Sequence, residues 1–220
     1  MRALGIRGCG VSMPYKQDVI PLLDALDPLA ARIGAVNTVV NDDGRLTGHN
    51  TDAAGAVRAV EEVRPLAGAR VLLLGAGGAA RAIAHAAVDR GARVTLANRS
   101  VQKAEPIAAA AGATATSLDE VARAADYDVL INATSVGMRE VDPRSPIPEE
   151  SIESGQIVMD IVYKPIETEL VRAAGRRGAI AVHGGRMLLH QAARQFELYT
   201  GHPAPLAAME AALLEQIGGA

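Results

Sequence analysis

The sequence predicts an α/β protein in which a Rossmann-type, doubly wound parallel sheet is joined to a smaller α/β part. After Gly68, short apolar segments alternate with helical segments, which is typical of a parallel sheet covered by helices on both faces. A glycine-rich turn connects the first of these apolar segments to an alanine-rich helix. Before Pro65 the pattern differs, because Asn41-Asp42-Asp43-Gly44 separates two apolar runs in the manner of a β-hairpin.

The part of the chain before Pro65 is predicted to form few elements. We expect strands at 6–11, 35–40 and 45–50 and helices at 16–26 and 53–62. Pro65 and Gly68 then mark a domain boundary, since both residue types interrupt regular structure.

After that boundary, strands and helices are predicted to alternate. The strands are expected at 70–74, 93–97, 128–132, 157–161 and 179–183, and the helices at 79–89, 100–111, 117–124, 167–176, 187–199 and 205–217. Ser117 and Glu120 have the spacing of a capping box at the start of one of these helices. We therefore divide the chain into a first part at 1–65, a Rossmann domain at 66–185 and C-terminal helices at 186–220 that return to the first part.

The composition argues against several classes of function. The chain has a net charge of −3 and no block rich in Lys or Arg, so neither nucleic acid nor an anionic membrane is expected as a partner. Its longest apolar runs are too short to cross a bilayer. The five histidines show no metal-ligand spacing with Cys9 or with one another, so no metal is expected. The single cysteine and the lack of a signal-peptide pattern predict a cytoplasmic protein.

The glycine-rich turn predicts a dinucleotide site. Gly75-Ala76-Gly77-Gly78-Ala79-Ala80 fits the G-x-G-x-x-G/A pattern, follows an apolar strand and opens a helix. Gly75 permits a tight turn and Gly77 lets the backbone approach a pyrophosphate, while the free N–H groups of the helix start attract its charge. The alternative is a strand-to-helix turn that binds nothing.

The residues after the second strand of this unit predict NADP rather than NAD. NAD sites place an acidic residue there to hold the ribose 2′-hydroxyl. This chain has Asn98-Arg99-Ser100 instead, with Lys103 one turn later. Arg99 can pair with a 2′-phosphate, and Lys103 adds a second positive charge. The alternative is that Arg99 is a solvated residue at a helix start.

Three polar residues of the first part are candidates for catalysis. Lys16, Asn37 and Asp52 offer an amine, an amide and a carboxylate, which suit a polyhydroxylated substrate and the transfer of a hydroxyl proton. Each also has an ordinary structural interpretation: Lys16 as a surface lysine, Asn37 as a turn residue, and Asp52 as the N-cap of a helix.

The chain resembles the shikimate/quinate dehydrogenase family in motifs that lie in order along almost its whole length. These are VSMPYK at 11–16, GAVNT at 34–38, NTDAAG at 50–55, GAGGAAR at 75–81, NRS at 98–100, NATSVGM at 132–138, VYKPIET at 162–168 and MLLHQAA at 187–193. The resemblance implies NADP-dependent interconversion of 3-dehydroshikimate and shikimate, or of a related cyclic polyol acid such as quinate, in the route to chorismate and the aromatic amino acids.

The resemblance also implies roles for single residues. Lys16 and Asp52 correspond to the catalytic pair, and Asn37, Tyr163 and Gln191 to residues near the substrate. The residues expected beside NADP are Gly75, Ala76, Gly77, Gly78, Ala79, Asn98, Arg99, Ser100, Lys103, Thr134, Met138, Val162, Gly184 and Met187.

The match departs from the family pattern in three places. The family's Ser-x-Ser-Pro segment, which holds the substrate carboxylate, is not found in this sequence, so we expect a truncated substrate domain and weak turnover. Gly184-Gly185-Arg186 replaces a more usual Gly-Leu-Gly, and Ser12-Met13 resembles a dehydrogenase-like branch of uncertain substrate. The alternative function is therefore an NADP-binding protein with little turnover. We expect a small-molecule substrate and a monomer or a homodimer.

Overall fold

Two β-sheets organise the chain, a mixed sheet of four strands and a parallel sheet of six. A computed structural model describes residues 1–12, 14–120 and 124–218. The strands are β1 (Gly8–Gly10), β2 (Ala25–Leu26), β3 (Thr38–Asp42), β4 (Arg45–His49), β5 (Arg70–Leu74), β6 (Arg93–Asn98), β7 (Thr114–Ser117), β8 (Val129–Asn132), β9 (Ile157–Asp160) and β10 (Ile180–Val182). The α-helices are α1 (Pro28–Ile33), α2 (Thr51–Glu61), α3 (Gly78–Asp89), α4 (Val101–Ala111), α5 (Glu169–Arg176), α6 (Gly184–Thr200) and α7 (Leu206–Gly218).

The six-stranded sheet has the doubly wound order that the sequence predicts. Its strands run β7-β6-β5-β8-β9-β10, and every pairing is parallel. Leu72 and Leu73 are fully buried on opposite faces of β5, as expected for a strand that helices cover on both sides. The chain reverses its direction of winding between β5 and β8, so a crevice for a ligand opens at the carboxyl ends of these strands.

The four-stranded sheet is built around the predicted hairpin. Its order is β1-β3-β4-β2, and β3 pairs with β4 from Thr38–His49 to Asp42–Arg45. The two residues between the strands, Asp43 and Gly44, both have positive φ, at 51° and 93°. This is the geometry of a two-residue hairpin turn whose twist matches that of the strands.

The helix predicted over 16–26 is wrong. The segment instead forms turns, a single 3₁₀ turn at Ile20–Leu22 and the short strand β2. Pro21 explains the difference, because proline has no N–H to donate and its ring clashes with the carbonyl four residues earlier in an α-helix. The chain therefore crosses this region without a regular helix and delivers Lys16 on a turn.

Two further elements differ from the sequence prediction. Helix α1 was not expected, although Asp27 caps it by accepting from the N–H groups of Leu29 and Ala30, and Pro28 occupies its first position. The helix expected over 117–124 is replaced at its start by strand β7 and a 3₁₀ turn at Leu118–Glu120. The rest of that prediction falls on residues 121–123, which lie outside the described residues.

Helix α6 packs directly against α2. A Cβ atom added to Gly55 would lie 2.7 Å from the carbonyl oxygen of Met187 and 3.1 Å from the Cβ of Gln191. Only a glycine therefore allows the two helices to come this close. The contact places Gln191 beside the helix that carries Asp52 in its first turn. None of the described helices is long and apolar enough to cross a membrane.

Candidate active site

Lys16 and Asp52 form an ion pair. The Nζ atom of Lys16 lies 2.7 Å from Oδ2 of Asp52, and the two side chains are 27% and 10% exposed. Asp52 stands in the first turn of α2, and Asn50, not Asp52, caps this helix by accepting from the N–H of Ala53. The capping interpretation of Asp52 is therefore wrong, and its carboxylate is free to hold Lys16.

Asn37 connects the same pair to the four-stranded sheet. Its Nδ2 donates to Oδ1 of Asp52 at 2.8 Å and to Oγ1 of Thr51 at 3.0 Å. Its Oδ1 accepts from the N–H of Thr51 at 2.7 Å and from the hydroxyl of Thr38 at 2.8 Å. Gln195 on α6 donates to the Thr38 hydroxyl at 3.0 Å. The amide of Asn37 is thus buried and fully hydrogen-bonded, and it fixes how Asp52 faces Lys16.

Gln191 and Tyr163 lie outside this buried network. Gln191 lies on α6 against Gly55, one turn of α2 after Asp52. Its side chain makes no hydrogen bond within the described part of the chain, so its amide is available to a ligand. Tyr163 follows β9 and is 43% exposed.

A second feature is a cleft of about 870 Å³ at the carboxyl ends of β5, β6 and β8. Its lining includes eight of the residues that the sequence predicts beside a dinucleotide: Gly75, Ala76, Gly77, Asn98, Arg99, Ser100, Lys103 and Thr134. The others of that set lie outside the lining: Gly78, Ala79, Met138, Val162, Gly184 and Met187. Of these, Val162 and Met187 are buried, and Met138 is partly exposed.

The backbone of the glycine turn fits a pyrophosphate. Gly75 has φ of 115°, and a Cβ there would lie 3.0 Å from the carbonyl oxygen of Ala133, so a larger residue would be both strained and crowded. Gly77 caps α3 without a side-chain hydrogen bond, and Gly77 and Gly78 face open space. The N–H groups at the start of α3 therefore point into the cleft with room for an anion.

Positive charge is available at the other end of the cleft. Arg99 and Lys103 are exposed, and neither side chain makes a hydrogen bond or an ion pair among the described residues. Asn98 donates through Nδ2 to the carbonyl of Ser100 at 2.9 Å, which shapes the turn that carries Arg99. Two unpaired cations on one turn of chain are suited to a phosphate monoester.

The cleft also contains residues that the sequence reading missed. Asp142 and Arg144 line it from the loop after β8, and Arg144 donates to both carboxylate oxygens of Asp142 at 2.9 and 2.8 Å. These hydrogen bonds, with a smaller contribution from Arg99, lower the pKa of Asp142 to about 2. An Asp-x-Arg sequence in a loop does not show that the loop folds back over a cleft.

Within the described residues, no group of three or more side chains is arranged to hold a metal ion.

Comparison with known proteins gives matches along the chain. Family models match at residues 1–39 (shikimate dehydrogenase substrate binding domain), 58–164 (shikimate/quinate 5-dehydrogenase) and 184–214 (shikimate 5′-dehydrogenase C-terminal domain). The shikimate dehydrogenase (NADP(+)) of Moorella thermoacetica is 43% identical over 99% of this chain and 78% of the relative.

Solved structures agree with these matches. A crystal structure of shikimate dehydrogenase in complex with NADP+ superposes with a TM-score of 0.92 at 34% identity, covering 98% of this chain and 78% of that one. The shikimate 5-dehydrogenase of Thermus thermophilus in complex with NADP(H) and shikimate gives a TM-score of 0.87 at 39% identity, covering 96% and 79%.

Proposed function

The chain belongs to the shikimate/quinate dehydrogenase family, and from that premise we propose that Lys16 and Asp52 are its catalytic pair. The protein is an NADP-dependent oxidoreductase that interconverts 3-dehydroshikimate and shikimate in the biosynthesis of aromatic amino acids. The observation that supports the catalytic assignment best is the 2.7 Å contact between Lys16 Nζ and Asp52 Oδ2. The chemistry that bound NADP would supply is acceptance of a hydride from the substrate carbon, and as NADPH its return.

The chain's own residues supply proton transfer and orientation. In the direction of reduction, the ammonium of Lys16 donates a proton to the ketone oxygen as charge develops on it, and the amine takes that proton back in the reverse direction. Asp52 holds the ammonium and accepts from a neighbouring substrate hydroxyl. Asn37 contributes through Asp52, because its own amide already makes four hydrogen bonds within the fold.

The remaining assignments follow the same geometry. We propose that the turn at 75–79 binds the pyrophosphate and that Arg99 and Lys103 bind the 2′-phosphate, with Asn98 and Ser100 shaping that end. Gln191 and Tyr163 are proposed to contact the substrate. Thr134 and Met138 are proposed to lie beside the cofactor, as the resemblance to the family implies. Val162, Gly184 and Met187 are proposed on the same basis to flank its nicotinamide.

The remaining proposals concern the whole protein rather than single residues. An NADP-binding protein with little turnover is not favoured, because the proposed catalytic pair is assembled and the curated relatives are named as dehydrogenases. We further propose a cytoplasmic location, a monomer or a homodimer, and a domain division near residues 65 and 185, with α6 and α7 returning to the first part.

Replacing Lys16 by Ala tests the catalytic pair. We expect kcat for shikimate oxidation to fall by about 10²–10⁴-fold, because a positioned proton acceptor is lost. The Kd for NADP should be unchanged, since Lys16 does not line the nucleotide cleft. Steady-state kinetics with shikimate and with quinate, together with calorimetric titration of NADP, measure both quantities.

The matched control is Arg93→Ala. Arg93 is exposed at the amino end of β6, far along that strand from the cleft, so this variant removes a positive charge without touching the site. It should retain kcat and Kd. A Lys16→Ala protein with undiminished kcat would show that the pair is not catalytic.

A further inference from the structure

Asp160 is a buried carboxylate that the proposed reaction does not use. It ends β9 and is not exposed to solvent. Its Oδ1 accepts from the N–H of Val162 at 3.0 Å and from Nδ2 of Asn132 at 3.0 Å, and its Oδ2 accepts from the hydroxyl of Thr168 at 2.7 Å. All three donors are neutral. Among the residues that the structure describes, no cation offsets the cost of burying this charge, and burial raises the pKa of Asp160 to about 6.

The network continues from Asp160 into the loop after β8. Asn132, which is also fully buried, lies opposite Asp160 in the register of β8 and β9. Its Nδ2 donates to the carbonyl of Val136 at 2.8 Å. Its Oδ1 accepts from the N–H of Thr134 at 3.0 Å and from the Thr134 hydroxyl at 2.7 Å. The pair of side chains thus ties the loop at 132–138 to the loop at 160–168.

Close backbone packing leaves these two loops little freedom. A Cβ on Gly137 would lie 3.2 Å from Oδ2 of Asp160, so the first loop lies directly on the carboxylate. A Cβ on Gly184 would lie 2.5 Å from the carbonyl oxygens of Ile161 and Val162, so the start of α6 lies directly on the second loop. A shift of either loop would therefore move its neighbours as well.

We infer that Asp160 is a positioning residue for hydride transfer, which holds the loops at 132–138 and 160–168 in the relative placement that the nicotinamide requires. The inference rests on the proposed function, because Val162 is proposed to flank the nicotinamide and Thr134 to lie beside the cofactor. An ionised carboxylate suits this task because it only accepts hydrogen bonds, and three donors from the two loops converge on it. An asparagine would present an NH₂ group to one of those donors.

Three variants and one control test the inference. Asp160→Asn removes the acceptor. Thr168→Val removes the hydroxyl that donates to Oδ2, and with it the N-cap of α5, because the same hydroxyl accepts from the N–H of Val171 at 3.3 Å. Thr168→Ser keeps that hydroxyl and should rescue function. Asp126→Asn makes the same carboxylate-to-amide change at an exposed position. For each protein we would measure kcat with shikimate, the Kd for NADP, the melting temperature and the fluorescence of bound NADPH, which reports the surroundings of the nicotinamide without any substrate.

For Asp160→Asn we expect kcat to fall by about 10–100-fold, since a displacement near 1 Å at the reacting atoms costs that much. The Kd for NADP should change by less than about threefold, because the phosphate contacts lie elsewhere in the cleft. The fluorescence enhancement of bound NADPH should be reduced. Thr168→Val should show a smaller loss of the same kind, while Thr168→Ser and Asp126→Asn should match the wild type.

Two results would overturn the inference. One is an Asp160→Asn protein with wild-type kcat and wild-type NADPH fluorescence. The other is a parallel loss of melting temperature, NADP affinity and kcat, which would mean that Asp160 only maintains the fold. If the wild-type protein itself fails to oxidise shikimate, the proposed function is at fault, and the NADPH fluorescence of the variants still decides whether Asp160 positions the nicotinamide.

Discussion

At the scale of a single side chain, we propose that Arg99 determines the choice between NADP and NAD. It is exposed in the cleft beside Lys103, and neither cation makes an ion pair among the described residues. Replacing Arg99 by Ala should weaken NADP binding by about 1.5–3 kcal/mol, the usual cost of a lost charge-assisted hydrogen bond. NAD binding should change much less, because NAD has no 2′-phosphate. Calorimetric titration of both cofactors measures the difference, and equal losses would contradict the assignment.

Asp160 gives a second prediction for a single side chain, which concerns how the free energy of unfolding depends on pH. Its pKa in the folded protein is about 6, above the ordinary value of 3.8. The folded state therefore binds a proton more tightly than the unfolded state does. The stabilisation that results is fully present below pH 3.8 and is lost as the pH rises through 6.

Asp160→Asn should remove this pH dependence. Between about pH 4 and pH 7, the free energy of unfolding of the wild type should fall relative to that of the variant by up to about 3 kcal/mol. Urea unfolding at a series of pH values, with Asp126→Asn as the control, measures the difference between the two curves. A constant difference across this range would show that Asp160 ionises with an ordinary pKa in the folded protein.

At the scale of elements, the close contact of α2 and α6 positions Gln191. Gly55→Ala would place a methyl group 2.7 Å from the carbonyl of Met187, so the helices must separate. We expect a loss of about 1–3 kcal/mol in the free energy of unfolding and a higher KM for shikimate as Gln191 moves. Gly175→Ala on α5 is the control, because nothing lies within 4 Å of the added methyl group. It should stabilise the protein by about 0.5–1 kcal/mol.

The strands and helices differ in how well the sequence predicts them. Five of the six strands of the parallel sheet were predicted from the sequence. Each of these five is an apolar run or lies next to a clear turn signal. Strand β7 was missed, since its sequence Thr-Ala-Thr-Ser is small and half-exposed and pairs only at the sheet edge. The helix expected at 16–26 failed on Pro21, and α1 was missed although Asp27-Pro28 is a recognisable start signal.

The candidate site was predictable where local sequence carries the chemistry. The glycine turn and Arg99 stand at fixed offsets along one strand-turn-helix unit, so they could be proposed as cofactor contacts without a structure. The pairing of Asn37 with Asp52 and the burial of Asp160 depend on contacts between residues far apart in the chain. Only the fold brings such residues together, which is why neither the role of Asn37 nor the Asp160 network could be read from spacing.

At the scale of the whole molecule, one hydrophobic core joins helices of the first part of the chain to the six-stranded sheet. The largest cluster of buried residues includes Ile33 of α1 and Val57 of α2 from the first part of the chain, together with Val71 of β5 and Ile83 of α3. Arg32 on α1 also pairs with Asp89 at the end of α3. The two parts therefore share apolar surface that neither could bury alone, and they should not unfold separately.

This shared core leads to the last prediction. Thermal unfolding should be a single transition with equal calorimetric and van't Hoff enthalpies, because opening the first part exposes α3 as well. NADP at about 100 times its Kd should add about 2.7 kcal/mol to the stability of the whole chain and raise the melting temperature by about 5–10 °C. Arg99→Ala at the same NADP concentration should show a smaller rise. Two transitions, of which only one moves with NADP, would show that the shared core does not couple the two parts of the chain.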